Sequence, residues 1–201
     1  MLRLHVGSGP VRLPGWTNID IQKYPGVDHV LDVTRGLPFR EVSMIFAEHF
    51  IEHLDYDAGR SFLRECRRAL LPNGVLRLST PNLDWVWTTQ YHLGQWSADE
   101  EAIRDCFWMN KAFRGWGHQF LYNLPSLRET LRAAGFAQVT PRQYGESELE
   151  DLRSLEHHEK YIDTPELPHV IIVEATGVAE AKVAPALATA IDDYDAAVKT
   201  K

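Results

Sequence analysis

Short apolar segments near the start of the chain each end at, or run into, a glycine or an acidic residue. There are four, at residues 2–6, 17–21, 27–31 and 43–47, with Gly7, Asp20, Asp32 and Glu48 at their ends. Their length and apolar content are typical of β-strands bounded by turns. Because open parallel sheets bind ligands at the carboxyl ends of their strands, this regularity predicts a sheet with a ligand site along one edge.

Helices alternate with strands later in the chain. Apolar residues recur at helical spacing between residues 57 and 71, Pro72-Asn73-Gly74 predicts the end of that helix, and residues 75–79 predict a fifth strand. A capping box at residues 126–129 predicts the start of another helix, which Gly135 closes. Strands that alternate with helices and short loops predict an α/β fold with a mostly parallel sheet.

The end of the chain predicts two more strands and a tail. The strands cover residues 136–140 and 169–176, and the long loop between them is compatible with an antiparallel pair at one edge of the sheet. An Ala-rich tail at 178–201 predicts a helix, either docked or frayed, appended to a domain over residues 1–177.

Residues 82–122 are unusually aromatic. This segment holds five of the six tryptophans, namely Trp85, Trp87, Trp96, Trp108 and Trp116. It directly follows the fifth predicted strand, so it lies at the ligand edge of the sheet. We interpret it as an insertion that forms a cap or an acceptor pocket, and a small aromatic core is the alternative.

The composition narrows the function classes. Lys and Arg number 21 against 28 Asp and Glu, a formal charge of −7, which argues against a nucleic-acid or anionic-membrane surface because phosphate binding needs clustered positive charge. Cys66 and Cys106 sit in no metal or redox spacing, which excludes a disulfide framework. The N-terminus does not fit a signal peptide, and no apolar run approaches the roughly 20 residues of a membrane span. We therefore expect a reduced, cytoplasmic protein.

The residue types at the strand ends suit a ligand that contains a nucleoside. Gly7 and Gly9, on either side of Ser8, let the backbone approach a ligand closely. Asp20, at the end of the second strand, can accept hydrogen bonds from both ribose hydroxyls. Asp32, one strand further on, could lie near an adenine amino group. For each acid, a helix cap is the alternative.

A series of runs carries a resemblance to a known family. The runs are LHVGSGPVRLPGWTNIDI, LDVTRGLPF, MIFAEHFIEHL, RRALLPNGVLRLSTPN, SLRETLRAAGF and HVIIVEA. In this order, over residues 2 to about 176, the chain resembles the class I S-adenosylmethionine-dependent methyltransferases. The run GPVRLPGWTNID is similar to small bacterial members linked to glycan or natural-product pathways. The resemblance implies a Rossmann-like, seven-stranded α/β sheet of order 3-2-1-4-5-7-6 with strand 7 antiparallel.

The resemblance also implies which residues hold the cofactor. They are the methionine-binding loop Gly7, Ser8 and Gly9, the ribose acid Asp20 with Ile21 against the adenine, the adenine-side residues Asp32 and Val33, and Ala47 and Glu48 after the fourth strand. The chain departs from the family pattern at His5, where an acid is usual, and at Val11, which replaces the third glycine. Pro10, Pro14 and Gly15 interrupt the stretch before Asp20, so we expect the first helix to be shortened or absent.

The histidines are candidates for the chemistry. His49, Glu52 and His53 follow the fourth predicted strand, and His118 lies in a glycine-flanked segment. One hypothesis makes His118 or His49 a general base that takes a proton from the acceptor, since imidazole titrates near neutral pH. The alternative is structural, with Glu52-His53 beginning a helix. The pair His157-His158 lies among glutamates and is interpreted as part of a solvated face.

A metal site is the less favoured hypothesis for the same residues. The pattern His49-x-x-Glu52-His53, with the later His118-x-Phe120, is similar to that of metal-dependent small-RNA 2′-O-methyltransferases, with His49 in place of the first acid. Imidazoles with one carboxylate suit zinc or iron better than magnesium, which prefers oxygen ligands.

These observations lead to one functional prediction with stated alternatives. We predict S-adenosylmethionine-dependent methyl transfer to a hydroxyl, carboxylate or amine of a small molecule or glycan precursor, with neither nucleic acid nor membrane as partner. The alternatives are a non-catalytic cofactor-binding or partner protein with the same fold, and a metal-dependent O-methyltransferase. The oligomeric state is open, a homodimer included.

Overall fold

The sheet of this chain has seven strands in the described residues. A computed structural model describes residues 1–92, 95–158 and 166–199. The strands are β1 (Leu2–Val6), β2 (Thr17–Asp20), β3 (His29–Val30), β4 (Val42–Glu48), β5 (Leu70–Pro81), β6 (Gln138–Arg142) and β7 (Val170–Thr176). Their order is β3-β2-β1-β4-β5-β7-β6, and β7 runs antiparallel to both of its neighbours. The predicted strand order and the antiparallel seventh strand are therefore confirmed.

Five α-helices accompany the sheet in the described residues. They are α1 (Tyr56–Ala69), α2 (Leu83–Gln90), α3 (Asp99–Arg114), α4 (Leu124–Ala133) and α5 (Pro185–Val198). In α1 the carboxylate of Asp55 caps the first turn by accepting a hydrogen bond from the Ala58 amide at 2.8 Å. No helix among the described residues is long and apolar enough to cross a membrane.

The main core lies between one face of the sheet and helices α1, α4 and α5. Residues of β1, β4, β5 and β7 on this face are almost fully buried, because alternate side chains of a strand point to the same face. Leu187, Ile191 and Tyr194 of α5 pack against this core, so the helix predicted in the tail is docked. Residues 200 and 201 of the predicted tail lie outside the described residues.

The opposite face of the sheet is covered by loops. Residues 7–16 form turns with no helix, which confirms the expected loss of the first helix, and Leu13 and Trp16 pack on Phe46 of β4. Arg77 of β5 is also buried on this face, where it pairs with Glu156 and Glu174 at 2.7 and 2.8 Å. A buried cation needs such partners because leaving water is costly for a charge.

Two predicted element boundaries were wrong. The capping box of α4 joins Asn123 to Ser126, so Ser126 lies in the first turn and the helix begins before it. Asparagine caps a helix as well as serine does, and this made the earlier start equally compatible with the sequence. The segment Pro72-Asn73-Gly74 lies within β5, where the register against β4 shifts, and not in a turn outside it.

Candidate functional site

The two glycines of the loop after β1 differ in their surroundings. Gly7 and Gly9 both have positive φ, at 67° and 53°. A Cβ at Gly7 would come 2.5 Å from Cδ2 of Phe50, whereas a Cβ at Gly9 would meet no atom within 4 Å. Ser8 between them is buried, and its amide donates to the carbonyl of Ile19 at 3.1 Å. Gly7 is therefore needed for packing, and Gly9 faces open space that a ligand can enter.

Asp20 lies directly beside this loop. One carboxylate oxygen accepts a hydrogen bond from the Gly9 amide at 2.8 Å, and the other accepts one from the Gln22 amide at 2.8 Å. Ile21, the next residue, has 64% of its surface exposed although it is apolar. The structure thus brings together Gly9, Asp20 and Ile21, three of the residues predicted to hold the cofactor.

Asp32 and Val33 have structural roles in the fold. The Asp32 carboxylate accepts hydrogen bonds from the Thr34 hydroxyl at 2.6 Å and the Thr34 amide at 3.1 Å, so it caps a short 3₁₀ turn. The Thr34 hydrogen bonds hold the pKa of Asp32 below its usual value. Val33 packs in the main core, as does Ala47 of β4. The cofactor contacts predicted for these three residues remain predictions.

The Glu48 carboxylate faces the loop between β6 and β7. It accepts hydrogen bonds from the amides of His157 and His158 and from Nδ1 of His158, the last at 2.5 Å. Burial raises the pKa of Glu48, but the hydrogen bonds from His158 and His157 outweigh it, and the pKa lies below its usual value. The cofactor contact that the resemblance implies for Glu48 remains a prediction.

A cavity of about 700 Å³ opens beside the ends of β4 and β5. Its walls combine aromatic rings with imidazoles and include Trp85, Trp108, Trp116, His49, His53, His118, His158 and His169. Pro81 at the end of β5 and Val170 at the start of the antiparallel β7 place the cavity at the carboxyl edge of the sheet. Three tryptophans of the aromatic segment therefore line a pocket at the edge where we expected a ligand.

His118 and His49 are each oriented through Nδ1. In His118, Nδ1 lies 2.8 Å from the carbonyl oxygen of Ala112, and a carbonyl can only accept, so this nitrogen carries the proton in the neutral ring. In His49, Nδ1 lies 3.1 Å from the carboxylate of Glu52. Glu52 is fully buried, and its second oxygen accepts a hydrogen bond from the Thr80 hydroxyl at 3.1 Å. His49 itself has φ of 45°, an uncommon conformation for a residue other than glycine.

Glu52, His53 and His118 form a candidate metal cluster. Each offers one ligand atom, and these atoms lie within 4.8 Å of one another. Two imidazoles and one carboxylate are a ligand set that zinc uses in catalytic sites. His49, which the sequence pattern included, does not belong to this group in the described residues.

His158 was missed by the sequence reasoning. It was interpreted as part of a solvated face, but only 10% of its side chain is exposed, and its ring lies in the cavity wall. Its partner Glu48 is 110 residues away in the chain. The neighbouring His157 has 47% of its side chain exposed, so the prediction was wrong for one histidine of the pair.

Comparisons with known proteins identify the fold. No protein-family model matches the sequence, and no curated protein sequence matches it. Among solved structures, the CMeT domain of the citrinin polyketide synthase is 16% identical at a TM-score of 0.53, over 89% of this chain and 47% of that chain. The 1,6-didemethyltoxoflavin-N1-methyltransferase of Burkholderia thailandensis, bound to 1,6-didemethyltoxoflavin and S-adenosylhomocysteine, is 15% identical. Its TM-score is 0.53, over 88% of this chain and 71% of that chain.

A third structure, DhpI in complex with SAH, is 14% identical at a TM-score of 0.51, over 88% of this chain and 76% of that chain. The chain thus spans about half of the citrinin synthase structure, at 47%, and more of the other two. At these identities the likeness shows the fold. The chain has the fold of the class I S-adenosylmethionine-dependent methyltransferases, as the resemblance implied.

Proposed function

We propose that this chain, which has the methyltransferase fold, transfers a methyl group from S-adenosylmethionine to a small molecule or glycan precursor. The observation that carries the proposal is the adjacency of two features at one edge of the sheet. The Gly7–Gly9 loop with Asp20 lies at the ends of β1 and β2, and Phe50 links this loop to the strand-end segment that lines the cavity.

The residues around the loop fit the cofactor. The open space at Gly9 lets a ligand approach the backbone closely, and we assign the ribose to Asp20, whose carboxylate the Gly9 amide orients. The exposed side chain of Ile21 offers apolar surface to an adenine ring. When bound, S-adenosylmethionine supplies a methyl group attached to a positively charged sulfur.

The cavity supplies the acceptor site. Trp85, Trp108 and Trp116 can hold a flat acceptor and exclude water, and holding the acceptor atom in line with the methyl group is worth several kcal/mol. The acceptor group is a hydroxyl, carboxylate or amine. His118 has its Nε2 lone pair available in the neutral ring, and His49 lies in the same wall, so each is a candidate base for the acceptor's proton.

The test is transfer of a labelled methyl group. The protein is incubated with methyl-tritiated S-adenosylmethionine and a panel of phenols, benzoates, aryl amines and nucleotide sugars, and the label is measured in the extracted product. We expect label in at least one acceptor class, and less label with Asp20→Ala at a subsaturating concentration of the donor. Binding of S-adenosylhomocysteine with no transfer to any class would favour a non-catalytic cofactor-binding protein.

A metal-dependent O-methyltransferase is the second candidate, and the cluster of Glu52, His53 and His118 favours it. A zinc or iron ion held there would act as a Lewis acid toward an acceptor oxygen. We would measure bound metal by elemental analysis after dialysis against zinc, for the wild type and His53→Ala. His29→Ala, an exposed histidine of β3, is the control. Loss of metal in His53→Ala alone supports the second candidate, and wild-type protein without metal excludes it.

A further inference from the structure

His158 lines the cavity, and one nitrogen of its ring makes no hydrogen bond in the described residues. Its Nδ1 lies 2.5 Å from a carboxylate oxygen of Glu48. Its Nε2 is buried and has no hydrogen-bond partner within the described part of the chain. A carboxylate can only accept, so Nδ1 carries the proton and Nε2 has a free lone pair in the neutral ring. A buried polar atom without a partner destabilises the fold, so its presence needs an explanation.

Holding the loop between β6 and β7 in place does not require the His158 ring. The amides of His157 and His158 already hold the Glu48 carboxylate, at 2.8 and 3.0 Å to Oε1 and 3.0 Å from His157 to Oε2. With alanine in place of His158, the two backbone amides could still donate to the Glu48 carboxylate, and there would be no unpartnered Nε2. The imidazole of His158 is therefore not needed to hold this loop, and we look for another role for it.

We propose that His158 takes the proton of the methyl acceptor through Nε2, and that Glu48 positions its ring. This inference rests on the proposed methyl transfer. A lone pair on the acceptor atom forms the new bond to the methyl carbon, the carbon–sulfur bond breaks with its electron pair on sulfur, and the acceptor's proton passes to Nε2. The Glu48 carboxylate then faces the imidazolium and stabilises its charge, as a carboxylate behind a histidine does in other general bases.

The surroundings of His158 distinguish it from the other candidate bases. Nδ1 of His118 contacts a neutral carbonyl, which stabilises a charged ring less than a carboxylate does. Nε2 of His49 is also buried without a hydrogen-bond partner in the described residues, and its Nδ1 lies 3.1 Å from the Glu52 carboxylate. Nδ1 of His158 lies 2.5 Å from its carboxylate, so His158 has the shortest contact to a negative charge among the three histidines.

Within residues 1–92, 95–158 and 166–199, the titratable groups whose side chains face His158 come from three elements. Glu48 ends β4 and His49 follows it, with the rings of His49 and His158 4.8 Å apart. Tyr144 lies after β6 with its ring 4.9 Å away, and His169 precedes β7 at 5.7 Å. Of these, the Glu48 carboxylate is the acidic group that directly contacts the His158 ring, at Nδ1.

The first test needs no acceptor. Protein labelled with ¹⁵N-histidine is saturated with S-adenosylhomocysteine, and the ring nitrogens of His158 are read by NMR at pH 8.5, with the assignment taken from the signal lost in His158→Gln. We expect a protonated Nδ1 and a lone pair on Nε2. A proton on Nε2 in the neutral ring overturns the proposal. Failure of the sample to bind S-adenosylhomocysteine contradicts the proposed function instead, so the two failures are distinguishable.

The second test uses 4-nitrophenol and 4-nitrobenzoate as methyl acceptors. A carboxylate acceptor has no proton to lose at neutral pH, but a phenol does. We expect His158→Gln to lower kcat for 4-nitrophenol at pH 6 by about 10²-fold or more, with a smaller deficit at pH 9, where the phenol ionises unaided. Affinity for S-adenosylhomocysteine should stay within twofold, and His29→Gln, a control at an exposed histidine of β3, should keep the wild-type rate.

Two further outcomes decide between a catalytic and a structural role for this pair. Glu48→Gln keeps a hydrogen-bond acceptor but removes the charge, and it should lower kcat for the phenol with little change in KM. Added imidazole should partly restore His158→Ala. An equal deficit of His158→Gln toward phenol and benzoate, or at pH 6 and pH 9, contradicts the proposal, as does loss of S-adenosylhomocysteine binding in that variant.

Discussion

The backbone amide of Gly9 donates a 2.8 Å hydrogen bond to the carboxylate of Asp20, 11 residues further along the chain. This bond joins the loop after β1 to the end of β2, and the amide of Gln22 holds the other carboxylate oxygen. The carboxylate is thus oriented before a ligand arrives. Preorganisation of this kind lowers the entropy that binding must offset.

Asp20→Ala should weaken binding of S-adenosylhomocysteine. The loss of hydrogen bonds from the ribose to a charged group is worth about 1.5–3 kcal/mol, or roughly 10- to 150-fold in Kd. Isothermal titration calorimetry measures it. Asp20→Asn keeps an oxygen for the Gly9 amide and should lose less affinity than Asp20→Ala. Wild-type affinity in Asp20→Ala would remove this residue from the site.

The two glycines of the loop should differ when replaced by alanine. Each position has a positive φ, which costs an L-residue about 1–2 kcal/mol. Gly7→Ala also drives its Cβ into Phe50, and such overpacking typically adds about 1–3 kcal/mol. Urea denaturation should therefore show Gly7→Ala as the less stable variant. Gly9→Ala should fold with the smaller loss but bind S-adenosylhomocysteine weakly, and equal stability of the two would contradict the packing role of Gly7.

Arg77→Met should destabilise the fold strongly. The side chain of Arg77 is fully buried between Glu156 and Glu174, and removing one member of a buried ion pair typically costs about 3–5 kcal/mol. Arg132→Met is the matched control, because Arg132 pairs with Glu129 at the surface. Loss of this pair should lower the free energy of unfolding by only about 0–1 kcal/mol. Urea unfolding of both variants measures the difference. Similar stabilities would mean that the buried network contributes little.

Protonation of Asp105 in α3 at low pH should lower the free energy of unfolding. Hydrogen bonds from Trp96 Nε1, at 2.8 Å, and from His92 lower the pKa of Asp105 from 3.8 to about 2. A lowered pKa in the folded state gives stability that is fully present above pH 4 and is lost as pH falls toward 2. The wild type should therefore exceed Asp105→Asn in unfolding free energy at pH 7 and approach it near pH 2. A constant difference across this range would contradict the assignment.

The arrangement of the strands could be predicted because its signals are local. Gly7, Asp20 and Glu48 each stand at the end of a short apolar segment, and parallel strands bring such ends to one edge. The loss of the first helix was also a local signal, since Pro10 and Pro14 cannot sit inside a helix without breaking it. The position of residues 82–122 directly after a strand suggested a cap or pocket, with a small aromatic core as the alternative, and three of its tryptophans line the cavity.

The contacts between distant segments could not be predicted in this way. His158 lies among charged residues in the sequence, a pattern typical of solvated surface, and its contact with Glu48 joins residues that are 110 positions apart in the chain. The ion pairs of Arg77 could not be predicted either. A charged residue inside a strand does not indicate that its partners are Glu156 and Glu174, which lie on two other segments. Pairings of this kind are set by tertiary packing, which no local spacing encodes.

A crystal structure of the wild-type protein with S-adenosylhomocysteine tests the central claim most directly. We predict that the ribose hydroxyls lie within hydrogen-bonding distance of the Asp20 carboxylate, with the adenine against Ile21. The sulfur should lie between the Gly7–Gly9 loop and the cavity that holds His118 and His158. A ligand bound elsewhere on the chain, or a clear site with no ligand in crystals grown at saturating concentration, would contradict the account.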